Sequence, residues 1–232
     1  MTTRGTPPED AKAMRLLVLG INYAPEFIAT GLYTTGFAEY MAQEGVETHV
    51  VTARPYYPAW RTFDGWKRPW WKTRTSENGT RIVHCPIYVP AVPKGARRML
   101  HYISFALTAL PVLLWKALTR RPDVMVLIAP SLLPAPLLLA VAKLSGSKTW
   151  LHVQDFEVEA AFATGLLQKH SRGGRFALNF ERWVMARFDR VSSISQPMLA
   201  KLRAKGVRKE RVVEFRNWAD LERVQPLTGP SP

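Results

Sequence analysis

The chain has 232 residues, of which 47% are hydrophobic and 22% are charged, a composition that excludes a disordered or collagen-like protein. Its single cysteine, Cys85, excludes an intrachain disulfide and a zinc site built from several cysteines. The 32 Lys and Arg residues outnumber the 18 Asp and Glu residues, and the net charge is +14. This excess predicts a negatively charged partner: a nucleic acid, an anionic membrane or a phosphorylated small molecule.

The two ends of the chain differ in composition from the middle. Residues 1–13 are polar and contain two prolines, and no apolar segment precedes Met14, so the pattern is not that of a signal peptide. We expect a disordered tail over 1–13, one domain over 14–220, and a linker or C-terminal tail over 221–232.

Short apolar runs alternate with helical patterns along the chain. The apolar runs predict strands over 16–20, 47–52, 81–85, 124–128, 149–153, 190–194 and 211–215. Helical patterns fall over 32–43, 97–118, 132–144, 158–168, 174–188 and 197–204, and 54–79 is predicted to be a long loop. This alternation predicts an α/β protein with a Rossmann-like parallel sheet and helices on both faces.

Two of these helices carry distinctive patterns. The helix that contains the apolar stretch 99–115 has a polar stripe along one face, which consists of Arg97, His101, Ser104 and Thr108. Pro111 follows this stripe and is expected to interrupt the helix. Such a helix can pack against a sheet, lie at a bilayer surface or cross the bilayer. In the helix 174–188, the predicted core face consists of Phe176, Phe180, Trp183, Val184 and Phe188.

Ligands of parallel α/β sheets bind beyond the carboxyl ends of the strands, so the segments after the strands are the candidate sites. After the first strand, Thr30, Gly31 and Tyr33 lie at the entry to a helix, without a G-x-G-x-x-G motif. Gly31 could let backbone N–H groups approach a phosphate, or it could merely form a turn.

One imidazole and three carboxylates lie at the end of the fifth predicted strand: His152, Asp155, Glu157 and Glu159. This cluster suits a general base or a group that orients a sugar hydroxyl. The alternative is a capped helix start with Asp155 as the N-cap residue. The histidines lack the spacing of metal ligands, and we expect no metal site. Ser195 follows the next strand and precedes a helix that starts at Pro197.

The loop 54–79 is dense in aromatic and basic residues, and Tyr56 is our candidate binding residue within it. The loop could grip a sugar or a nucleic acid by stacking, or anchor at a membrane surface. The alternative is a compactly packed loop without a binding role.

Four motifs in this order resemble the N-terminal half of a family-four GT-B glycosyltransferase of the colanic-acid or exopolysaccharide type. They are LLVLGINYAPEFIATGLYTTGFAEYMAQEGVETHVVTARPYYPAW, HVQDFEVEAAF, FDRVSSIS and FRNWAD, and the resemblance spans residues 14–220.

The resemblance implies that this half receives the acceptor and that Gly31 lies beside the acceptor and the donor diphosphate. It also implies that Asp155 lines the cleft near the reacting sugar and that the segment from Asn217 to Asp220 is the hinge to a donor-binding domain. The chain stops about twelve residues after Asp220, so we expect the donor-binding domain to be absent. The Gly-Gly loop of the family is reduced here to Thr30–Gly31.

The resemblance thus implies retaining transfer of a hexose from a nucleotide sugar to a lipid-linked saccharide, once a separate donor-binding domain or chain completes the enzyme. The candidate catalytic residues are Asp155, His152 and Glu157; the candidate substrate-binding or phosphate-binding residues are Thr30, Gly31, Tyr33, Tyr56, Ser195 and Asn217. We expect no cofactor, no nucleic-acid partner, and a cytoplasmic location at the anionic surface of the inner membrane. The alternative is a non-catalytic basic α/β module that binds an anionic membrane or nucleic acid.

Overall fold

A computed structural model describes residues 13–27, 30–165 and 167–218 of the chain. The predicted tail 1–13 lies outside the described residues except for residue 13. The predicted linker 221–232 and Asp220 also lie outside them.

The described chain forms an eight-stranded sheet in the order β3-β4-β2-β1-β5-β6-β7-β8. The strands are β1 (Arg15–Gly20), β2 (Glu47–Ala53), β3 (Lys72–Thr75), β4 (Arg81–Cys85), β5 (Val124–Ala129), β6 (Lys148–Val153), β7 (Arg190–Ser193) and β8 (Val212–Glu214). Every neighbouring pair is parallel except β3 and β4. The central strands β1 and β5 consist almost entirely of apolar residues because both of their faces are buried.

Six helices connect the strands: α1 (Thr30–Gln43), α2 (Gly95–Arg120), α3 (Ala135–Ser145), α4 (Glu157–Ala163), α5 (Arg172–Met185) and α6 (Gln196–Ala204). One hydrophobic core lies between the sheet and residues of α2, α3, α5 and α6. A second core lies on the other face, where Phe37 and Ala38 of α1 contact the sheet. The predicted Rossmann-like α/β fold with helices on both faces is therefore confirmed.

Two local predictions were wrong. The predicted loop 54–79 contains β3, whose four residues Lys-Thr-Arg-Thr are all exposed, so the strand carries no hydrophobic pattern that a sequence could reveal. Pro111 does not interrupt α2, which continues through it to Arg120. Buried residues on both sides of the proline, among them Ala109 and Leu113, hold the two halves of the helix on the same core.

The predicted core face of α5 is also partly wrong. Val184 and Phe188 are buried, but Phe176 is 72% exposed and Trp183 is 43% exposed. The face towards the protein instead includes Glu181, whose carboxylate accepts a hydrogen bond of 2.6 Å from Lys205. Aromatic residues at helical spacing indicate a continuous stripe, but this spacing alone cannot distinguish a buried stripe from an exposed one.

The polar stripe of α2 satisfies the backbone that follows β4. His101 Nδ1 lies 2.5 Å from the Tyr88 carbonyl oxygen, and the Tyr88 N–H donates to Ser104 Oγ at 2.9 Å. The Thr108 hydroxyl donates to the Pro86 carbonyl at 2.6 Å. Within the described ranges, α2 is the one helix whose length and composition would suffice to cross a membrane. Its inner face nevertheless belongs to the core of this domain.

Candidate functional site

A buried carboxylate joins the loops that follow β1 and β2. The Glu26 carboxylate accepts hydrogen bonds from the backbone N–H groups of Tyr56 and Tyr57 at 2.6 and 2.8 Å, and from Asn22 Nδ2 at 2.8 Å. Burial raises the pKa of Glu26, and these hydrogen bonds oppose that rise. The carboxylate therefore fixes the position of Tyr56 at the carboxyl end of the sheet.

Gly31 lies directly against this carboxylate loop. An added Cβ at Gly31 would lie 3.0 Å from the Glu26 backbone oxygen and 3.3 Å from the Glu26 Cβ. Thr30 is buried beside it, and its carbonyl oxygen accepts a hydrogen bond of 2.7 Å from the Thr34 hydroxyl. The absence of a side chain at Gly31 thus allows the start of α1 to approach the loop; contact with a phosphate stays a prediction.

We expect Gly31→Ala to lower the free energy of unfolding by about 1–3 kcal/mol, because the new methyl group meets backbone rather than a flexible side chain. Gly173→Ala is the matched control, since Gly173 is also the second residue of its helix and a Cβ there meets nothing nearer than 3.5 Å. That control should leave stability unchanged or raise it by about 0.5–1 kcal/mol. Urea unfolding measures both values, and equal effects would contradict the close approach.

A second carboxylate, Glu157, is the first residue of α4 and is held from α2. Its Oε1 accepts hydrogen bonds from the Tyr102 hydroxyl at 2.6 Å and from Arg98 Nη2 at 3.3 Å. Burial raises the pKa of Glu157, while Tyr102 and Arg98 lower it. The carboxylate therefore has a fixed orientation at the carboxyl end of β6.

Asp155 lies between β6 and α4 and is exposed. It is not the N-cap residue of α4, because that position is Phe156. The negative charge of Asp155 adds to the rise that burial causes in the pKa of Glu157. Among the residues that the structure describes, Asp155 forms no hydrogen bond or ion pair. Its carboxylate is thus available to an incoming ligand.

Tyr56 links the two carboxylate groups. Its side chain is buried, and burial together with Glu26, Tyr102 and Glu157 raises its pKa. The His101 ring lies between the Tyr56 and Tyr102 rings, with centroid distances of 4.6 and 5.3 Å. A continuous series of contacts therefore runs from Gly31 through Glu26, Tyr56, the His101 ring and Tyr102 to Glu157. The two predicted parts of the site lie at the same end of the sheet.

His152 lies in β6 and is buried in a different network. Its Nδ1 is 2.8 Å from Ser192 Oγ and its Nε2 is 3.0 Å from Gln154 Nε2. Burial lowers the pKa of His152 to about 4, so the ring is neutral at pH 7. Gln154 and Asn217 exchange hydrogen bonds of 3.1 and 3.2 Å, which ties the predicted hinge segment to the end of β6.

The two remaining candidates, Tyr33 and Ser195, form contacts with other residues. The Tyr33 ring contacts the Trp218 ring edge to face, with centroids 5.4 Å apart. Ser195 is the N-cap residue of α6, and its backbone carbonyl accepts the Leu199 N–H at 3.0 Å. A substrate role for either residue stays a prediction.

Sequence reasoning missed four residues that build the site: Asn22, Glu26, Arg98 and Tyr102. Arg98 and Tyr102 are four residues apart and therefore share one face of α2, which is the available sequence signal. Their partner Glu157 follows more than fifty positions later, and nothing in the sequence indicates that pairing. Within residues 13–27, 30–165 and 167–218, no group of three His, Cys, Asp or Glu side chains is placed to hold a metal ion.

Solved structures with the same fold are GT-B glycosyltransferases. Sucrose-phosphate synthase from Thermosynechococcus elongatus matches 92% of this chain and 50% of its own, with a TM-score of 0.63 and 11% identity. Glycyrrhiza uralensis UGT73P12, complexed with glycyrrhetinic acid 3-O-monoglucuronide, matches 88% of this chain and 48% of its own, with a TM-score of 0.51 and 11% identity. The described domain therefore has the fold of one half of a GT-B enzyme.

The sequence comparisons give the family. Residues 29–218 match the family described as Glycosyl transferase 4-like domain. WcaI of Escherichia coli (strain K12), named as a colanic acid biosynthesis glycosyl transferase, is 39% identical over 219 residues, which cover 91% of this chain and 52% of that protein. This chain belongs to the glycosyl transferase 4-like family, and it spans about half the length of this curated relative.

Proposed function

We propose that this domain is the acceptor-binding half of a retaining glycosyltransferase. The complete enzyme would transfer a hexose from a nucleotide sugar to a lipid-linked saccharide in exopolysaccharide synthesis. The family match and the name of the Escherichia coli relative support this proposal. A donor-binding domain, on the same or another chain, would hold the nucleotide and complete the cleft.

The observation that carries the proposal is the exposed Asp155 carboxylate beside the fixed carboxylate of Glu157. A free carboxylate can accept a hydrogen bond from an acceptor hydroxyl and draw away its proton. Tyr102 and Arg98 hold Glu157 and so keep the first turn of α4 in place behind Asp155. Fixed placement of the acceptor hydroxyl is itself a large part of the catalysis of a transfer between two bound molecules.

We further propose a cytoplasmic location at the surface of the inner membrane, where a lipid-linked acceptor would be found. The net charge of +14 supports this location because anionic lipid attracts Lys and Arg residues, each by about 1 kcal/mol near the surface. Neither a metal ion nor a cofactor enters the proposed reaction, in which the nucleotide sugar is a substrate.

The test joins residues 1–220 to the C-terminal half of the Escherichia coli relative and supplies a polyprenyl-diphosphate-linked saccharide. Radiolabelled UDP-glucose, UDP-galactose and GDP-mannose are offered as donors. We expect transfer of label into the lipid fraction by the joined protein and none by the present chain alone, because the donor half would bind the nucleotide. Efficient transfer by the present chain alone would contradict the division of labour between two halves. Failure of the joined protein with every donor would favour the non-catalytic alternative.

A further inference from the structure

The outward side of α5 presents two exposed aromatic rings, Phe176 and Trp183, with the half-buried Phe180 ring between them. Phe176, Phe180 and Trp183 follow one another at intervals of four and three residues and stack in sequence, with ring centroids 6.3 and 6.2 Å apart. Phe176 is 72% exposed, although Val184 and Met185 of the same helix are buried in the core. The helix α5 therefore has two apolar sides. One side packs against the core, and the other is a strip of aromatic side chains that faces solvent.

The charges beside this strip are all positive. The exposed charged residues of α5 and its flanks, within the described residues, are Lys169, Arg172, Arg175, Arg182 and Arg187. The acidic residue of the helix, Glu181, is buried and paired with Lys205. The Arg187 guanidinium lies 4.0 Å from the Trp183 ring centroid and donates to the Trp183 carbonyl at 2.9 Å. Exposed rings and cations thus share one surface, and no exposed acid of α5 reduces its charge.

An anionic lipid surface fits this combination better than a polar macromolecule does. Phenyl rings have no hydrogen-bonding group, and the boundary between lipid headgroups and acyl chains offers them an apolar environment. Arginine and tryptophan are suited to the polar side of that boundary, where the guanidinium groups can reach lipid phosphates. A helix with these two kinds of side chain on one surface can lie flat in the membrane interface.

We infer that the outward side of α5 is the surface by which this protein docks on anionic lipid, with Phe176 and Trp183 inserted and the arginines bound to phosphate headgroups. The inference rests on the membrane location in the proposed function and assigns it to one helix. It is independent of the carboxylates that receive the acceptor.

The first experiment measures sedimentation of the full chain with phosphatidylglycerol–phosphatidylcholine vesicles and with pure phosphatidylcholine vesicles. We expect binding to the anionic vesicles that weakens as salt is added. The double variant Phe176→Ser/Trp183→Ser should bind at least tenfold more weakly, because two apolar rings no longer enter the interface. Arg175→Gln/Arg182→Gln should bind roughly twenty-five-fold more weakly, at about fivefold per arginine.

The matched control is Tyr40→Ser, which removes an exposed aromatic ring from α1 on the opposite face of the sheet. It should bind vesicles as the wild-type chain does. The assignment to α5 would be overturned if both α5 variants bound vesicles as tightly as the wild-type chain. It would also be overturned if Tyr40→Ser weakened vesicle binding as much as the α5 variants do. Failure of the wild-type chain to bind any vesicle would overturn the membrane location and would leave the sugar-transfer proposal intact.

A second experiment reports the environment of α5 directly. Because Cys85 is buried, a cysteine introduced at the exposed position Asn179 can be labelled with an environment-sensitive fluorophore. We expect its emission to shift to the blue with anionic vesicles, and no shift for Gln43→Cys at the exposed end of α1. A blue shift at Asn179→Cys with single-stranded DNA and not with vesicles would overturn the lipid assignment in favour of nucleic acid. A shift that depends on protein concentration alone would overturn it in favour of self-association.

Discussion

Asp155→Ala is expected to lower hexose transfer by the joined enzyme about a hundredfold to ten-thousandfold, the usual contribution of a positioned general base. The side chain is exposed and has no hydrogen-bonding partner within the described residues, so its removal should change the free energy of unfolding little. The Asp155→Ala variant should therefore lose transfer activity while it keeps the wild-type free energy of unfolding. Steady-state transfer of label and urea unfolding, measured on the same preparation, check both expectations.

The control for this variant is Glu210→Ala, which removes an exposed carboxylate just before β8 at the opposite end of the sheet. It should retain wild-type transfer. Asp155→Asn keeps a hydrogen-bond acceptor but cannot take up a proton at neutral pH, so recovery of activity in this variant would mean orientation rather than proton transfer. Wild-type activity in Asp155→Ala would exclude Asp155 from the reaction.

The second large effect is a loss of stability in acid. Burial lowers the pKa values of His84, His101 and His152 from 6.5 to about 4. Between these pH values the unfolded chain binds protons that the folded chain does not, so the free energy of unfolding falls as the pH falls from 6.5 towards 4. Each histidine removes about 3 kcal/mol over this range. Buried Glu26, Glu157 and Glu181 have raised pKa values and act in the opposite direction.

Substitution of one histidine separates its contribution to the pH dependence of stability from the contributions of the buried glutamates. His84→Asn retains a donor near the position of Nδ1, which is 3.1 Å from the Ala53 carbonyl. Between pH 6.5 and 4.5, the unfolding free energy of this variant should fall less steeply than that of the wild type, by about 1.4 kcal/mol per pH unit. His170→Asn, at an exposed position, should retain the wild-type slope. Denaturant titrations at several pH values give these slopes, and parallel curves for all three proteins would contradict the buried neutral state of His84.

The fold was predictable from sequence where burial imposes a pattern. β1 and β5 are apolar on both faces and were recognised within one residue at each end. β3 was missed because it forms backbone hydrogen bonds while every side chain faces solvent. Strand propensity and the hydrophobic pattern of a sequence reflect which side chains are buried. A strand without buried side chains therefore cannot be recognised from these patterns.

The site was predictable only in part, for a related reason. Asp155 and Glu157 could be chosen as candidates from the sequence because both follow a buried strand of a parallel sheet, where topology brings functional groups together; their roles stay predictions. The residues that hold Glu157, Arg98 and Tyr102, lie on α2, more than fifty positions earlier in the chain. Their pairing depends on tertiary geometry, and α5 shows the same limit because its aromatic spacing fits either a core or a surface.

The two outermost strands bear on the solubility of this half-length chain. Unpaired backbone groups along the rim of a sheet can recruit another polypeptide and start intermolecular aggregation. Among the described residues, one rim is the four-residue β3, whose Lys72 and Arg74 repel an identical strand, and the other is the three-residue β8. Both edge strands are short, and β3 in addition carries like charges, so the domain should resist edge-to-edge aggregation when it is produced as this chain.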